Sequence, residues 1–230
     1  IRENVCHMAL LYHMIVYMGN RFMKLALDWI FPISCMICGL GKVGLCNNCA
    51  KKLPKPETNL PDWIFPLWSY KHKSIREMIV QLKTFPITAR LESVGSLLYH
   101  HLCHTLEKRN LICIQPIIIP IPISPTRFRE RGYNQSELIA RSIIPYMKKS
   151  ILRTDILYKI RESKKQALLH KTDRSDNAHD LFQVRNQLVI KNRDIILIDD
   201  VVTTGATLSD ARALLLQNGA RNVYAVTIAH

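Results

Sequence analysis

Four consecutive apolar residues near the end of the chain, Ile195 to Ile198, are followed at once by two acids, Asp199 and Asp200. The length and β-branched content of this run predict a strand that is buried on both faces, so the acids are expected at its carboxyl end. Two valines and a short polar turn follow, and then an amphipathic helix with one apolar stripe, formed by Leu208, Ala211, Leu214 and Leu215. The pattern predicts a strand, a turn and a helix in direct succession.

The same periodicities predict the other elements of an α/β domain. Near alternation of Trp63, Phe65, Trp68 and Tyr70 predicts a strand or hairpin edge that enters the main domain. The apolar segment 115–123 predicts a strand. Because proline cannot donate a backbone hydrogen bond, the strand is expected either at the edge of the sheet or with its prolines at the strand ends. Further patterns predict helices over 74–82, 87–108 and 136–146 and strands over 151–160, 188–190 and 223–228. Strands that alternate with helices, joined by right-handed crossovers, predict a doubly wound parallel sheet.

The turn after the two acids consists of small and hydroxyl residues, Thr203, Thr204, Gly205, Ala206 and Thr207. At the start of a helix such a turn offers backbone N–H groups and the positive end of the helix dipole, which together suit a phosphate monoester. The two acids beside it suit sugar hydroxyls. A buried strand with an ordinary capped turn is the alternative interpretation.

The charge of the chain favours an anionic partner. Lys and Arg number 32 against 18 Asp and Glu, which gives a net charge of +14. Half of the positive charge lies between residues 124 and 193, although a solvated basic surface remains an alternative. No run of 18 or more apolar residues occurs, so no transmembrane helix is predicted.

A basic segment follows the proline-rich strand. Arg127, Arg129 and Arg131 stand at alternate positions and are followed by Asn134 and Gln135. In an extended loop this spacing presents three guanidinium forks on one side, where they match phosphate oxygens. The segment is therefore predicted to bind DNA or pyrophosphate.

A second basic segment lies between two predicted strands. It is polar and only weakly periodic, and its cations are Arg161, Lys164, Lys165, Lys171 and Arg174. A solvated helix face is one interpretation. Its position at the ligand-binding edge of the sheet favours a mobile hood that closes over a phosphorylated ligand.

Four of the seven cysteines lie within fifteen residues, in two CxxC pairs separated by a glycine-bearing segment: Cys35, Cys38, Cys46 and Cys49. This spacing predicts a tetrahedral Zn²⁺ site, and four protein ligands make the site structural. Disulfides are the alternative. A chain with clustered thiols and no secretory signal is expected in a reduced compartment, the cytoplasm.

Composition also suggests domain boundaries. Residues 1–22 are interpreted as a non-native upstream extension, 23–52 as the zinc ribbon, 53–66 as a proline-rich linker and 67–230 as the main domain.

The segment IILIDDVVTTGAT resembles the phosphoribosyl-pyrophosphate (PRPP) motif of type I phosphoribosyltransferases. Together with the CxxC pairs and the segments IPISPTRFRERGYNQSELIAR and RESKKQALLHKTDRSDNAHDLF, it makes the chain similar to the ComF/GntX family of phosphoribosyltransferase-like proteins. The resemblance implies a zinc ribbon before a type I domain. It also implies catalytic acids, Asp199 and Asp200, that face the ribose hydroxyls, a 203–207 loop that holds the 5′-phosphate, and Mg²⁺ bound with PRPP.

The family's competence members act on incoming single-stranded DNA, so the resemblance implies a cytoplasmic DNA-handling role in natural transformation. The alternative is a Mg²⁺-dependent transferase that moves ribose 5-phosphate from PRPP to a small nitrogenous acceptor. No residue clearly reads a purine or pyrimidine, which disfavours transfer to a free base. A third hypothesis gives the zinc ribbon a docking role, with a competence helicase as its partner.

Overall fold

A computed structural model describes residues 33–41, 43–57, 59–84, 88–160 and 181–230. The strands are β1 (Ile64–Trp68), β2 (Ile117–Pro120), β3 (Ile151–Leu152), β4 (Leu157–Lys159), β5 (Phe182–Val184), β6 (Asp194–Val201) and β7 (Asn222–Ala229). The helices are α1 (Asn47–Lys52), α2 (Lys73–Thr84), α3 (Thr88–Lys108), α4 (Pro125–Arg131), α5 (Gln135–Ile143), α6 (Gln187–Ile190) and α7 (Ala206–Gln217), and a 3-10 turn covers Ile144–Tyr146.

Five parallel strands form the main sheet in the order β1–β7–β6–β2–β3. β4 and β5 pair antiparallel in a separate two-stranded ribbon. Parallel strands end at the same edge of a sheet, so the segments that follow β1, β2, β6 and β7 are neighbours there. The predicted α/β class and parallel sheet are confirmed.

The central strand β6 is buried on both faces, as its apolar run predicts. Ile196 and Ile198 pack with α2, α3 and α5 on one face of the sheet. Ile195 and Leu197 pack on the other face with α7 and the β4–β5 ribbon. All four side chains are fully buried. The sheet is therefore covered by helices on one side and by α7, α6 and the ribbon on the other.

Helices α3 and α5 approach each other closely through Gly95. A Cβ atom at this position would lie 2.2 Å from the backbone oxygen of Ser142, so only glycine fits. The contact fixes α5 against α3 and thereby positions the start of α5 near the end of β6.

Two local predictions are wrong, and the structure decides between the two alternatives for segment 115–123. Its prolines lie at the ends of β2 and leave Ile117 to Ile119 free to pair on both sides, so β2 is an interior strand between β6 and β3 and the edge alternative is excluded. Residues 187–190 form the short helix α6 instead of a strand, after Asn186 turns the chain in the left-handed conformation. The arginine segment is a helix, α4, and not an extended loop.

Among the helices of the described ranges, none combines the length and the apolarity that crossing a bilayer requires.

Candidate functional site

The two acids stand where β6 leaves the sheet, and both are partly buried. The hydroxyl of Ser136, in the first turn of α5, donates to Oδ1 of Asp199 over 2.9 Å. Oδ1 of Asp199 also accepts from the backbone N–H of Asp200 at 2.9 Å, and Oδ1 of Asp200 accepts from that of Val201 at 2.8 Å. These bonds hold the first acid in a defined orientation at the carboxyl edge of the sheet.

Residues 203–207, called the phosphate loop below after their predicted role, follow β6 and run into the first turn of α7. Gly205 has φ +79°, and a Cβ atom there would lie 3.2 Å from Cδ1 of Ile64. The positive φ turns the chain into α7, whose first N–H groups have no partners within the helix. Thr203 and Thr204 are exposed, and Oγ1 of Thr204 accepts from the N–H of Ala206 at 3.4 Å. The turn therefore has the exposed hydroxyls and helix start that an anion site requires.

The arginine segment follows β2, the neighbour of β6, so it leaves the sheet at the same edge as this turn. Helix α4 begins at Ser124, whose hydroxyl accepts from the N–H of Arg127 at 3.3 Å, and ends at Gly132 with φ +77°. Arg127 and Arg131 are four residues apart and share one face of α4, whereas Arg129 points about 200° away from each. The predicted set of three forks on one side is therefore divided between two faces.

The two polar residues predicted after the arginines, Asn134 and Gln135, are held within the fold at the start of α5. Asn134 caps α5 by accepting from the N–H of Ser136 at 3.1 Å, and its Nδ2 donates to the carbonyl of Ile121 at 3.0 Å. Gln135 is 4% exposed, and its Nε2 has no hydrogen-bond partner among the described residues. Asn134 thus ties the end of β2 to the start of α5.

The five cations of the predicted hood, Arg161, Lys164, Lys165, Lys171 and Arg174, lie outside the described residues. The ribbon that precedes and follows them is described. Its start is fixed by Arg153, whose guanidinium makes two 2.6 Å bonds to Asp155. This hydrogen bonding lowers the pKa of Asp155 to about 2.

The four cysteines lie together, as predicted. All of their Sγ atoms are within 4.8 Å of one another, and those of Cys38 and Cys46 are 3.8 Å apart. A tetrahedron with metal–sulfur bonds of about 2.3 Å has edges of about 3.8 Å, so this cluster fits a metal ion. Burial raises the pKa of the Cys35 thiol, but hydrogen bonds, first from the Cys38 amide and then from that of Cys46, outweigh burial and lower it to about 6.

The metal loop, residues 35–49, is built onto the main domain. The N–H of Leu45 donates to Oγ of Ser93 on α3 at 2.8 Å. A Cβ atom at Gly44 would lie 2.0 Å from the carbonyl oxygen of Arg90. Cys35 and Leu45 belong to the same apolar core as Leu98 and Ile139. The cysteine cluster is therefore packed against α3.

A cleft of about 450 Å³ opens on the other side of the phosphate loop. Lys55, Tyr70, Lys71 and His230 line it together with Thr203 of the loop. None of the first four was predicted as a site residue. Tyr70 and Lys71 follow β1 and His230 follows β7 at the same sheet edge, so position is the sequence signal for these three residues. Lys55 precedes β1 and reaches the cleft through Pro54, whose carbonyl accepts from the N–H of Ser69.

Comparison with known proteins agrees with this arrangement. The family model of the phosphoribosyl transferase domain matches residues 134–230. DNA utilization protein YhgH of Shigella flexneri is 29% identical over 198 residues, which are 82% of this chain and 80% of that protein. Competence protein F of Haemophilus influenzae is 25% identical over 184 residues, 77% of this chain and 75% of that protein. Competence protein ComFC of Bacillus subtilis is 35% identical over 103 residues, 45% of this chain and 39% of that protein.

The parallel sheet, the acid pair and the loop after β6 are thus those of a phosphoribosyltransferase-type domain. The relatives that match across most of the chain are a DNA utilization protein and a competence protein, which supports the resemblance of this chain to the ComF family of phosphoribosyltransferase-like proteins.

Proposed function

We propose that this protein handles incoming single-stranded DNA in the cytoplasm during natural transformation, with a phosphoribosyl-binding pocket as part of its DNA site. The observation that carries the proposal is the hydrogen bond between Ser136 and Asp199. It joins the helix that follows the arginine segment to the strand that carries the acids, which supports a shared site. In this pocket the phosphate of a phosphorylated pentose would accept hydrogen bonds from the backbone N–H groups at the start of α7. The arginines of α4 would bind further phosphate oxygens.

The expected division of roles follows from the chemistry of each group. The phosphate loop takes the 5′-phosphate, because its amides and hydroxyls donate hydrogen bonds. Arg127 and Arg131, on one face of α4, take further phosphate or pyrophosphate oxygens. For DNA the phosphates carry recognition, since deoxyribose lacks the 2′-hydroxyl that the acids would otherwise bind.

A salt titration of single-strand binding tests this role. We expect affinity for an oligothymidylate to fall steeply with salt. In Arg127→Ala/Arg131→Ala the slope should become shallower by about 1.4, which is about 0.7 for each phosphate that an arginine no longer neutralises. Arg129→Ala is the matched control, because it removes the same charge from the other face of the same helix. Binding that is independent of salt, or an equal effect of Arg129→Ala, would exclude the proposed contact surface.

The second candidate function is transfer of ribose 5-phosphate from PRPP to a small nitrogenous acceptor. It is favoured by the position of Asp199 and Asp200, which precede the phosphate loop by only a few residues. The two carboxylates would hold the sugar hydroxyls and the Mg²⁺ that accompanies PRPP. This ion supplies charge neutralisation for the pyrophosphate leaving group. Release of pyrophosphate that is lost in Asp200→Asn would support transfer, and PRPP binding without release for any base would oppose it.

The four-cysteine cluster is proposed to bind Zn²⁺ in a structural role, because four thiolates complete its coordination. The outer side of the metal loop exposes Leu40, at 72%, and Val43, at 46%. This surface is the proposed contact for a competence helicase. Leu40→Asp should weaken capture of the purified helicase without changing bound zinc, and unchanged capture would argue against the contact.

A further inference from the structure

The cleft beside the phosphate loop has walls that are hydrogen-bonded to one another. Ser69 N–H donates to the carbonyl of Pro54 at 2.9 Å, and Tyr70 N–H donates to that of His230 at 2.7 Å. Nδ1 of His230 lies 3.1 Å from the carbonyl oxygen of Val202, directly before the phosphate loop. Linker, β1, β7 and phosphate loop therefore form one continuous surface.

The lining of the cleft suits a nucleotide. Lys55 and Lys71 are cations on its wall, and Tyr70 presents a partly exposed aromatic ring, 36% accessible. Glu57 is the one acidic side chain among the described lining residues, so the lining side chains carry two ammonium groups against one carboxylate. Lysines bind phosphate as point charges, and an aromatic ring stacks on any base.

The loop 69–72 that carries these groups is fixed to α2. Nη1 of Arg76 donates to the carbonyl oxygens of Tyr70 and Lys71. His72 N–H in turn donates to the carbonyl of Ser69 at 3.2 Å. Because the backbone is held from several sides, little ordering would be required of it when a ligand binds.

The position of the cleft relative to the phosphate loop indicates in which direction a bound DNA strand would run. In a DNA strand, a 5′-phosphate is also esterified to the 3′-oxygen of the preceding nucleotide. If the phosphate lies on the loop and its own sugar lies toward Asp199 and Asp200, the preceding nucleotide leaves on the other side. The cleft shares Thr203 with the loop on that side.

We propose that this cleft binds the nucleotide on the 5′ side of the one whose phosphate occupies the phosphate loop, with Lys55 and Lys71 on its phosphate and Tyr70 against its base. The inference rests on the proposed function, because it takes DNA phosphate on the loop as its starting point. It adds a second nucleotide subsite and fixes the polarity of the strand across the sheet edge.

Calorimetry with thymidine 5′-monophosphate and the 5′-phosphorylated dinucleotide pTpT tests the subsite. Lys55→Ala/Lys71→Ala should bind the mononucleotide like the wild type but show at least about fivefold weaker affinity for pTpT. Tyr70→Leu should also weaken pTpT by about fivefold or more, and Tyr70→Phe should not, because phenylalanine keeps the stacking ring. Lys191→Ala is the control for loss of charge, because Asn192 hydrogen-bonds Gly219 at the opposite edge of the sheet.

The outcomes separate the inference from the function on which it rests. Equal affinities of the double variant and the wild type for pTpT, with the mononucleotide still bound, would overturn the subsite alone. A pTpT affinity that falls equally in Lys191→Ala would also overturn it, since the effect would then be one of net charge. Failure of the wild type to bind either probe or PRPP would overturn the proposed function and the subsite together.

Discussion

The hydroxyl of Ser136 lies 2.9 Å from Oδ1 of Asp199 and donates a hydrogen bond to it, across 63 residues of sequence. This bond joins the helix that follows the arginine segment to the strand that carries the acids. Asn134 strengthens the junction from the other side, because it bonds both α5 and the end of β2. Asp199 is thus oriented by the helix that follows the arginine segment.

Removal of this hydroxyl should weaken ligand binding without unfolding the domain. We expect Ser136→Ala to lower the affinity for PRPP and Mg²⁺ by about fivefold, since a hydrogen bond of this kind contributes about 1 kcal/mol. Ser142→Ala is the control, because Ser142 Oγ donates to the carbonyl of Ile139 on the same helix. Equal affinities of Ser136→Ala and the wild type by calorimetry would show that the bond does not orient Asp199 for binding.

The metal loop should depend on the absence of a side chain at Gly44. A Cβ atom there would collide with the carbonyl of Arg90, 2.0 Å away, so the loop must shift from α3. We expect Gly44→Ala to lower the free energy of unfolding by about 1–3 kcal/mol and to speed loss of the metal to a chelator. Leu40→Ala, on the exposed side of the loop, should do neither. Unaltered stability and metal retention in Gly44→Ala would contradict the close packing.

The left-handed conformation of Gly205 should matter for binding as well as for stability. Gly205→Ala is strained by about 1–2 kcal/mol at φ +79°, and its methyl group would press on Ile64. Gly219 has φ +93° near the other end of α7, so Gly219→Ala is a matched control for strain alone. We expect both variants to lower the melting temperature and only Gly205→Ala to lower the affinity for PRPP. Equal PRPP affinities of the two variants would show that the conformation of Gly205 is not required for binding.

Protonation of His101 should destabilise the fold in mild acid. Burial, together with the nearby Lys55, lowers the pKa of this imidazole from its usual value of 6.5 to about 4. Because the folded-state pKa is below the unfolded one, the folded state binds fewer protons, and stability falls as the pH decreases from about 6.5 toward 4. The loss is at most about 3 kcal/mol.

Urea unfolding between about pH 4.5 and 7.5 spans this window and measures the dependence. His101→Gln should flatten the pH dependence relative to the wild type, and His72→Gln, which changes an exposed histidine, should leave it in place. Metal is also lost in acid, but this affects the stability of every variant. Differences in the free energy of unfolding between variants at the same pH therefore exclude that effect. Parallel curves for His101→Gln and the wild type would show that another group titrates.

The parts of the fold that follow from local pattern could be predicted from the sequence. The apolar run of β6 is long enough to identify a buried strand, and the stripe of α7 fixes the helix after it. The cysteine spacing alone predicts the cluster. Each of these depends on residues close together in the chain, so no knowledge of the sheet order was required.

The errors arose where two local patterns compete or where sheet order decides. Alternate arginines suggested an extended loop, yet Ser124-Pro125 before them and Gly132 after them are the start and stop signals of a helix. The interior position of β2 depends on its pairing with β6, about 80 residues away. The cleft around Lys55 and Lys71 depends likewise on β1 lying next to β7.

Competition between PRPP and single-stranded DNA tests the central proposal most directly, because both are placed on the same phosphate loop. With Mg²⁺ present, saturating PRPP should weaken the binding of an oligothymidylate, and the oligothymidylate should weaken PRPP binding by the same factor. Gly205→Ala should reduce both affinities. Independent binding of the two ligands, each unaffected by saturation with the other, would contradict a shared phosphoribosyl and DNA site.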